Sequence, residues 1–113
     1  MPFINVKTNV SINKENQEVI KEKLGVAIKI IGKTESWLMI NFEDNQKMYF
    51  RGDGDKSLAF VEVDLYGSSS DDAYNKLTGE ITSILGDNLN IRPDGIYVRY
   101  NEIRNWGFNG SNF

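Results

Sequence analysis

The alternation of apolar and polar positions divides the chain into elements. Residues 3–8 (Phe-Ile-Asn-Val-Lys-Thr) alternate after the leading apolar pair, the two-residue period of a strand. From about Asn13 to Ile31 the period changes. Ile20, Leu24, Ala27, Ile28 and Ile31 recur on one helical face, and Gly32 stands where a left-handed helix terminus belongs. Residues 37–42 predict a second strand, Glu43 to Gln46 a turn, and Met48-Tyr49-Phe50 a short edge strand. A loop is predicted over 51–55 and a long strand over 57–66. The second helix is predicted from about Ser70 to Asn88. Its stripe is Ala73, Leu77, Ile81, Ile84 and Leu85, and Ser69 with Asp72 resembles a capping box. Pro93-Asp94-Gly95 predicts a turn, and Ile96 to Tyr100 a last strand.

Strand–helix–strand therefore occurs twice. The expected fold is α+β in a single domain over residues 1–113. Two βαβ repeats form a four-stranded sheet with both helices on one face. This arrangement leaves the second sheet face to be covered. Trp37, Met39, Tyr97 and the aromatic tail from Asn105 to Phe113 are apolar enough to want burial. An oligomer packing its sheets around a shared axis would supply it.

Composition narrows the chemistry. The 113 residues include no cysteine and no histidine. Thiol catalysis, disulfides, histidine general bases and the usual zinc sites are thereby excluded. The proton carriers left are Asp, Glu, Lys, Tyr and the chain's own amine. No cofactor and no metal are expected. The net charge of −3 supplies no basic field for nucleic acid. No apolar stretch is long enough to span a bilayer, and no secretory leader is recognised. The expected location is cytoplasmic, with leaderless secretion as the alternative.

Several segments resemble the macrophage migration inhibitory factor family of the tautomerase superfamily. They are Met1-Pro2-Phe3-Ile4, Gly32-Lys33, Ile91-Arg92-Pro93-Asp94-Gly95-Ile96-Tyr97 and the ending Trp106-Gly107-Phe108-Asn109-Gly110-Ser111-Asn112-Phe113. The resemblance covers essentially the whole chain. It implies a homotrimer with active sites between subunits and keto–enol tautomerisation of phenylpyruvate-type α-keto acids. Carried over by position, Pro2 is the base once Met1 is removed, and Lys33 binds substrate or offsets charge. The amide facing the substrate carboxylate falls on Leu65, counting from Lys33 without a gap. Tyr97 of a neighbouring subunit enters the pocket, and Trp106, Phe108 and Phe113 form its walls. The same resemblance carries an alternative, a non-catalytic, cytokine-like module that binds a protein partner.

Three departures stand out. The family's Cys-x-x-Cys positions read Ser57-Leu58-Ala59-Phe60, which excludes thiol–disulfide chemistry. A common Asn is replaced by Arg99, placed on the pocket-facing side of its strand with Tyr97 if the strand alternates. There it would bind a substrate carboxylate or, alternatively, pair with Glu62 or Asp64. The glycine usual after the carboxylate-binding amide reads Tyr66.

An N-terminal proline suits this chemistry. An α-amino group titrates at about 7.7–8.0 in peptides. Burial and a nearby lysine both disfavour its charged form, leaving a neutral amine able to take a proton next to a ketone.

Other motifs carry less. Arg51-Gly52-Asp53 is read as a chance tripeptide. Asp53, Asp55, Ser57 and Asp64 match part of a calcium loop whose required glycine is Leu58 here. Asn9-Val10-Ser11 and Asn109-Gly110-Ser111 matter as sequons only in a secretory context.

Overall fold

The computed structural model describes residues 1–113. Strand β1 (Pro2–Thr8) is flanked by β2 (Met39–Glu43), parallel to it, and by β3 (Ala59–Tyr66), antiparallel. Strand β4 (Ile96–Ile103) runs parallel to β3, and the sheet order is β2-β1-β3-β4. Helix α1 (Lys14–Ala27) links β1 to β2, and α2 (Asp71–Leu89) links β3 to β4. Parallel neighbours need such crossovers, so each βαβ unit is internally parallel. The two units meet antiparallel at the centre. This is the expected α+β architecture.

The core forms because both periods point inward. Ile4 and Val6 of β1 and Val61, Val63 and Leu65 of β3 are fully buried at alternate positions. Against them lie Ile20, Leu24 and Ile28 from the first helical segment and Leu77, Ile81 and Leu85 from α2. Both helices thus pack on one sheet face, as expected. No helix is long and apolar enough to cross a membrane.

Local chemistry sets the boundaries, and several differ from the sequence reading. Asn13 caps α1 by accepting the Asn16 N–H at 2.8 Å. The helix then tightens into a 3₁₀ turn over Ile28–Ile31, reaching the expected end in a different winding. At α2 the cap is Ser70, whose Oγ accepts the Ala73 N–H at 3.1 Å. The Ser69 N–H instead donates to the Tyr74 hydroxyl, so the Ser69–Asp72 capping box does not form. Glu35–Trp37 is a 3₁₀ turn, which delays β2 to Met39, and β3 starts at Ala59 rather than 57. Residues 48–50 form no edge strand. Phe50 exchanges two backbone bonds with Asp53 around Arg51 and Gly52, both left-handed (φ 53° and 75°). Strand β4 runs on to Ile103, and the tail closes as a small hairpin, β5 (Gly107–Phe108) and β6 (Ser111–Asn112).

The outer sheet face is polar in its middle. Asn5 Nδ2 donates to Glu43 at 2.7 Å, Asn41 Nδ2 to Asn5 Oδ1 at 2.9 Å, and Asn101 Nδ2 to Asp64 at 3.0 Å. Glu62 is only 19% exposed and pairs with Lys7 and Arg99. Alternation places these polar residues opposite the core-facing valines and isoleucines. Exposed apolar groups sit instead toward the margins, Met39 on the outermost β2 and Tyr97 near the start of β4.

Candidate active site

The first three chain segments converge at one end of the sheet. Pro2 opens β1, is buried, and lies opposite Leu65 in the β1–β3 ladder. Lys33 arrives from a helix terminus of defined geometry. Gly32 adopts φ 79°, its N–H bonds to Lys29 O at 2.9 Å, and the Lys33 N–H reaches Ile28 O at 3.3 Å. This is a Schellman closure, and its left-handed residue suits glycine. The chain then turns so that Lys33 Nζ donates to the backbone carbonyl of Tyr66 at 2.9 Å.

Tyr66 also donates its N–H to the carbonyl of Met1 at 3.0 Å. The amide that meets the start of the chain is therefore that of Tyr66. Leu65, one residue earlier, sends its side chain into the core and stands opposite Pro2. The terminal amine of Met1 is pushed below its ordinary value of 8.0, first by burial and then by the positive charge of Lys33.

Aromatic groups surround this end. Phe113, the last residue, lies 5.6 Å from the Tyr66 ring, and its N–H bonds to Trp106 O at 3.1 Å. Phe108 meets Trp37 edge to face at 5.1 Å. Trp37 stands four residues after Lys33, just before β2 pairs with β1 at Met39–Phe3. The structure thus gathers Pro2, Lys33, Leu65 and Phe113 at one end of the sheet. The C-terminal hairpin ties Trp106 and Phe108 to Phe113.

Tyr97 and Arg99 lie elsewhere in the same chain. Tyr97 is paired with Phe60, and Phe60 with Lys7. Lys7 lies five residue steps along β1 from Pro2, roughly 17 Å at 3.3 Å per residue. Tyr97 instead packs against Phe50 at 5.4 Å and lines an apolar cleft of about 220 Å³ with Met48, Phe60 and Ile96. Arg99 shares its face, as alternation requires, but its guanidinium donates to Glu62 at 2.5 Å and lies over the Phe60 ring.

The whole of the chain, residues 1–113, matches the family model described as macrophage migration inhibitory factor. The chain belongs to this family. The macrophage migration inhibitory factor homolog of Brugia malayi is 28% identical over 115 residues, covering 100% of this chain and 99% of its own. The macrophage migration inhibitory factor of Meriones unguiculatus is also 28% identical, with the same coverage. Leishmania major MIF2 superposes with a TM-score of 0.94 at 26% identity, over 100% of this chain and 97% of its own. Pt0534 inactivated by 2-oxo-3-pentynoate shares the fold at a TM-score of 0.85 and 13% identity, over 96% and 93% of the two chains.

For this macrophage migration inhibitory factor-like chain, sequence reasoning left out two residues of the Pro2 end. Trp37 was read only as an apolar residue wanting burial. Tyr66 was read only as a departure from a usual glycine. Their signal is positional: Trp37 follows Lys33 by four residues, and Tyr66 ends the strand that pairs with Pro2.

Proposed function

We propose that this protein is a cofactor-independent keto–enol tautomerase of phenylpyruvate-type α-keto acids, using Pro2 as its general base after Met1 is removed. The observation that carries the reading is the convergence of Pro2, Lys33 and the Tyr66 backbone. Lys33 Nζ already rests on the Tyr66 carbonyl, and the Tyr66 N–H is taken by Met1. Loss of Met1 turns the Pro2 nitrogen into a secondary amine and releases that N–H beside it.

The chemistry then follows from these groups. Burial and Lys33 lower the affinity of the Met1 amine for a proton, and the same two influences favour the neutral form of a Pro2 amine at that end of the sheet. Its lone pair takes the proton from the carbon next to the ketone. The C–H electron pair becomes the enol double bond, and the carbonyl oxygen gains negative charge. The Lys33 ammonium offsets that charge, and the Tyr66 N–H donates to the substrate carboxylate. The proton returns from Pro2 to the oxygen, or to carbon in the reverse direction. Tyr66, Phe113, Phe108 and Trp37 exclude water and flank the aryl ring. That the similarly folded Pt0534 is inactivated by a 2-oxo acid agrees with this substrate class.

The position of Tyr97 supports a site shared between subunits of a homotrimer. Within one chain it does not reach Pro2; in the proposed site a second copy brings it. Light scattering should report about three times the chain mass of 12.9 kDa; a monomer would remove the shared site. The direct test of the function is ketonisation of phenyl-enolpyruvate by protein shown by mass spectrometry to lack Met1. Wild-type protein should turn it over, and Pro2→Gly should be slower by about a hundredfold or more. Equal turnover by the two would remove Pro2 from the mechanism.

A further inference from the structure

The C-terminal hairpin has little to hold it in place by itself. Strands β5 and β6 contribute two residues each, all exposed. A ribbon this short is marginal in water. Its turn, Asn109-Gly110, is left-handed at both residues (φ 53° and 87°), which sets the hairpin shape but adds no contact to the body. Two aromatic contacts attach it: Phe108 on Trp37 and Phe113 on Tyr66, the latter at 5.6 Å with the rings tilted by 35°.

Tyr66 is well placed to hold such a tail. Its N–H is bonded to Met1 O, its carbonyl accepts Lys33 Nζ, and it stands opposite Ile103 in the β3–β4 ladder. Val63 and Leu65 take the core-facing positions, so alternation sends the Tyr66 ring to the outer face. Any residue could make the two backbone bonds. Stacking on Phe113 requires an aromatic ring. The hydroxyl takes no part in any of these contacts.

We propose that the Tyr66 ring is a specificity-determining residue: by stacking on Phe113 it holds the tail against the Pro2 end of the sheet and shapes the entrance for a flat aryl side chain. This rests on the tautomerase reading given above. A substrate ring lies against Phe113 only when Phe113 is itself held in place. A short aliphatic 2-oxo acid makes no use of that wall. Discrimination therefore resides in binding of the side chain, not in proton transfer at Pro2.

The test uses full-length protein without Met1 and two variants, Tyr66→Ala and Tyr66→Phe. Amide hydrogen exchange at Phe113, whose N–H bonds to Trp106 O, reads the tail without reference to activity. It should quicken about fivefold in Tyr66→Ala, the loss of one aromatic contact, and stay at the wild-type rate in Tyr66→Phe. The preference for phenyl-enolpyruvate over enolpyruvate should fall by a similar factor of about five in Tyr66→Ala, chiefly through the ratio of KM values, and be kept in Tyr66→Phe. Unchanged exchange in Tyr66→Ala overturns the clamp. A loosened tail with unchanged preference overturns the specificity role. If wild-type protein turns over neither enol, the tautomerase reading fails and the specificity role with it, and the exchange result then stands on its own for the clamp.

Discussion

The Tyr66 N–H and the Met1 carbonyl are joined by a hydrogen bond of 3.0 Å. The residue whose carbonyl accepts from Lys33 thus also holds, through its N–H, the residue that masks Pro2. Removing one methionine frees an amine and an amide donor together, next to a lysine.

Lys33 should tune the base as well as hold charge. Its ammonium lowers the proton affinity of the terminal amine. The base is active when neutral, so the acid limb of kcat/KM follows the amine's pKa. Replacing Lys33 by Ala should move that limb to higher pH and lower kcat/KM about tenfold or more. A pH–rate profile checks this; an unmoved limb would show that Lys33 does not act on the amine.

Tyr97 should act on a neighbour's Pro2. Pro2→Gly and Tyr97→Ala trimers, each impaired alone, should regain activity when refolded together. Random mixing at equal amounts restores about a quarter of the sites, because each intact site draws on two subunits. Recovery no greater than the average of the separate variants would place both residues in one chain's site, against the register observed here.

Arg99 should stabilise rather than bind substrate. Its guanidinium is engaged by Glu62 and lies 5.3 Å from the Phe60 ring centre. Arg99→Asn should lower Tm by about 2–5 °C, as expected for a partly exposed ion pair. KM for phenyl-enolpyruvate should remain within about twofold of wild type. A raised KM at unchanged Tm would return Arg99 to the pocket.

The outer face should weaken in acid. The Glu62 carboxyl is held below its ordinary 4.5, chiefly by the hydrogen bond from Lys7, then by Asn5 and the charges of Lys7 and Arg99, against opposing burial. A carboxyl with a depressed folded pKa contributes stability above its unfolded pKa and loses it as pH falls through the folded value. Thermal melts from about pH 5 to about pH 3 should therefore fall more steeply in wild type than in Glu62→Gln. Parallel curves would contradict the pairing.

Much of the fold was legible because its periods are regular. Ile20 to Ile31 and Leu77 to Leu85 announced helices, and the alternation at Phe3 to Thr8 announced the strand that carries Pro2. Boundaries were less legible where side chains compete for the backbone. Ser69 and Ser70 both offer a cap, and only packing of Tyr74 decides between them. Trp37, Met39 and Tyr97 are exposed, as the sequence suggests, but their placement was not legible. They stand on a turn, the outermost strand and the start of β4, around a polar centre. The resemblance assigns the carboxylate-facing amide to Leu65, by a count without a gap. That the Tyr66 N–H meets Met1 was not legible, because pairing register is a long-range property that counting cannot supply.

The central claim is that the N-terminal amine of Pro2 is the base, and the state of the N-terminus tests it most directly. Two samples of one sequence can be compared, one processed to Pro2 and one retaining Met1, each identified by intact mass. The account predicts phenyl-enolpyruvate turnover in the processed sample and none above background in the other, with equal oligomeric state and Tm above neutral pH. Equal turnover by the sample that retains Met1 would contradict it, because there the Pro2 nitrogen is an amide whose delocalised lone pair cannot accept a proton.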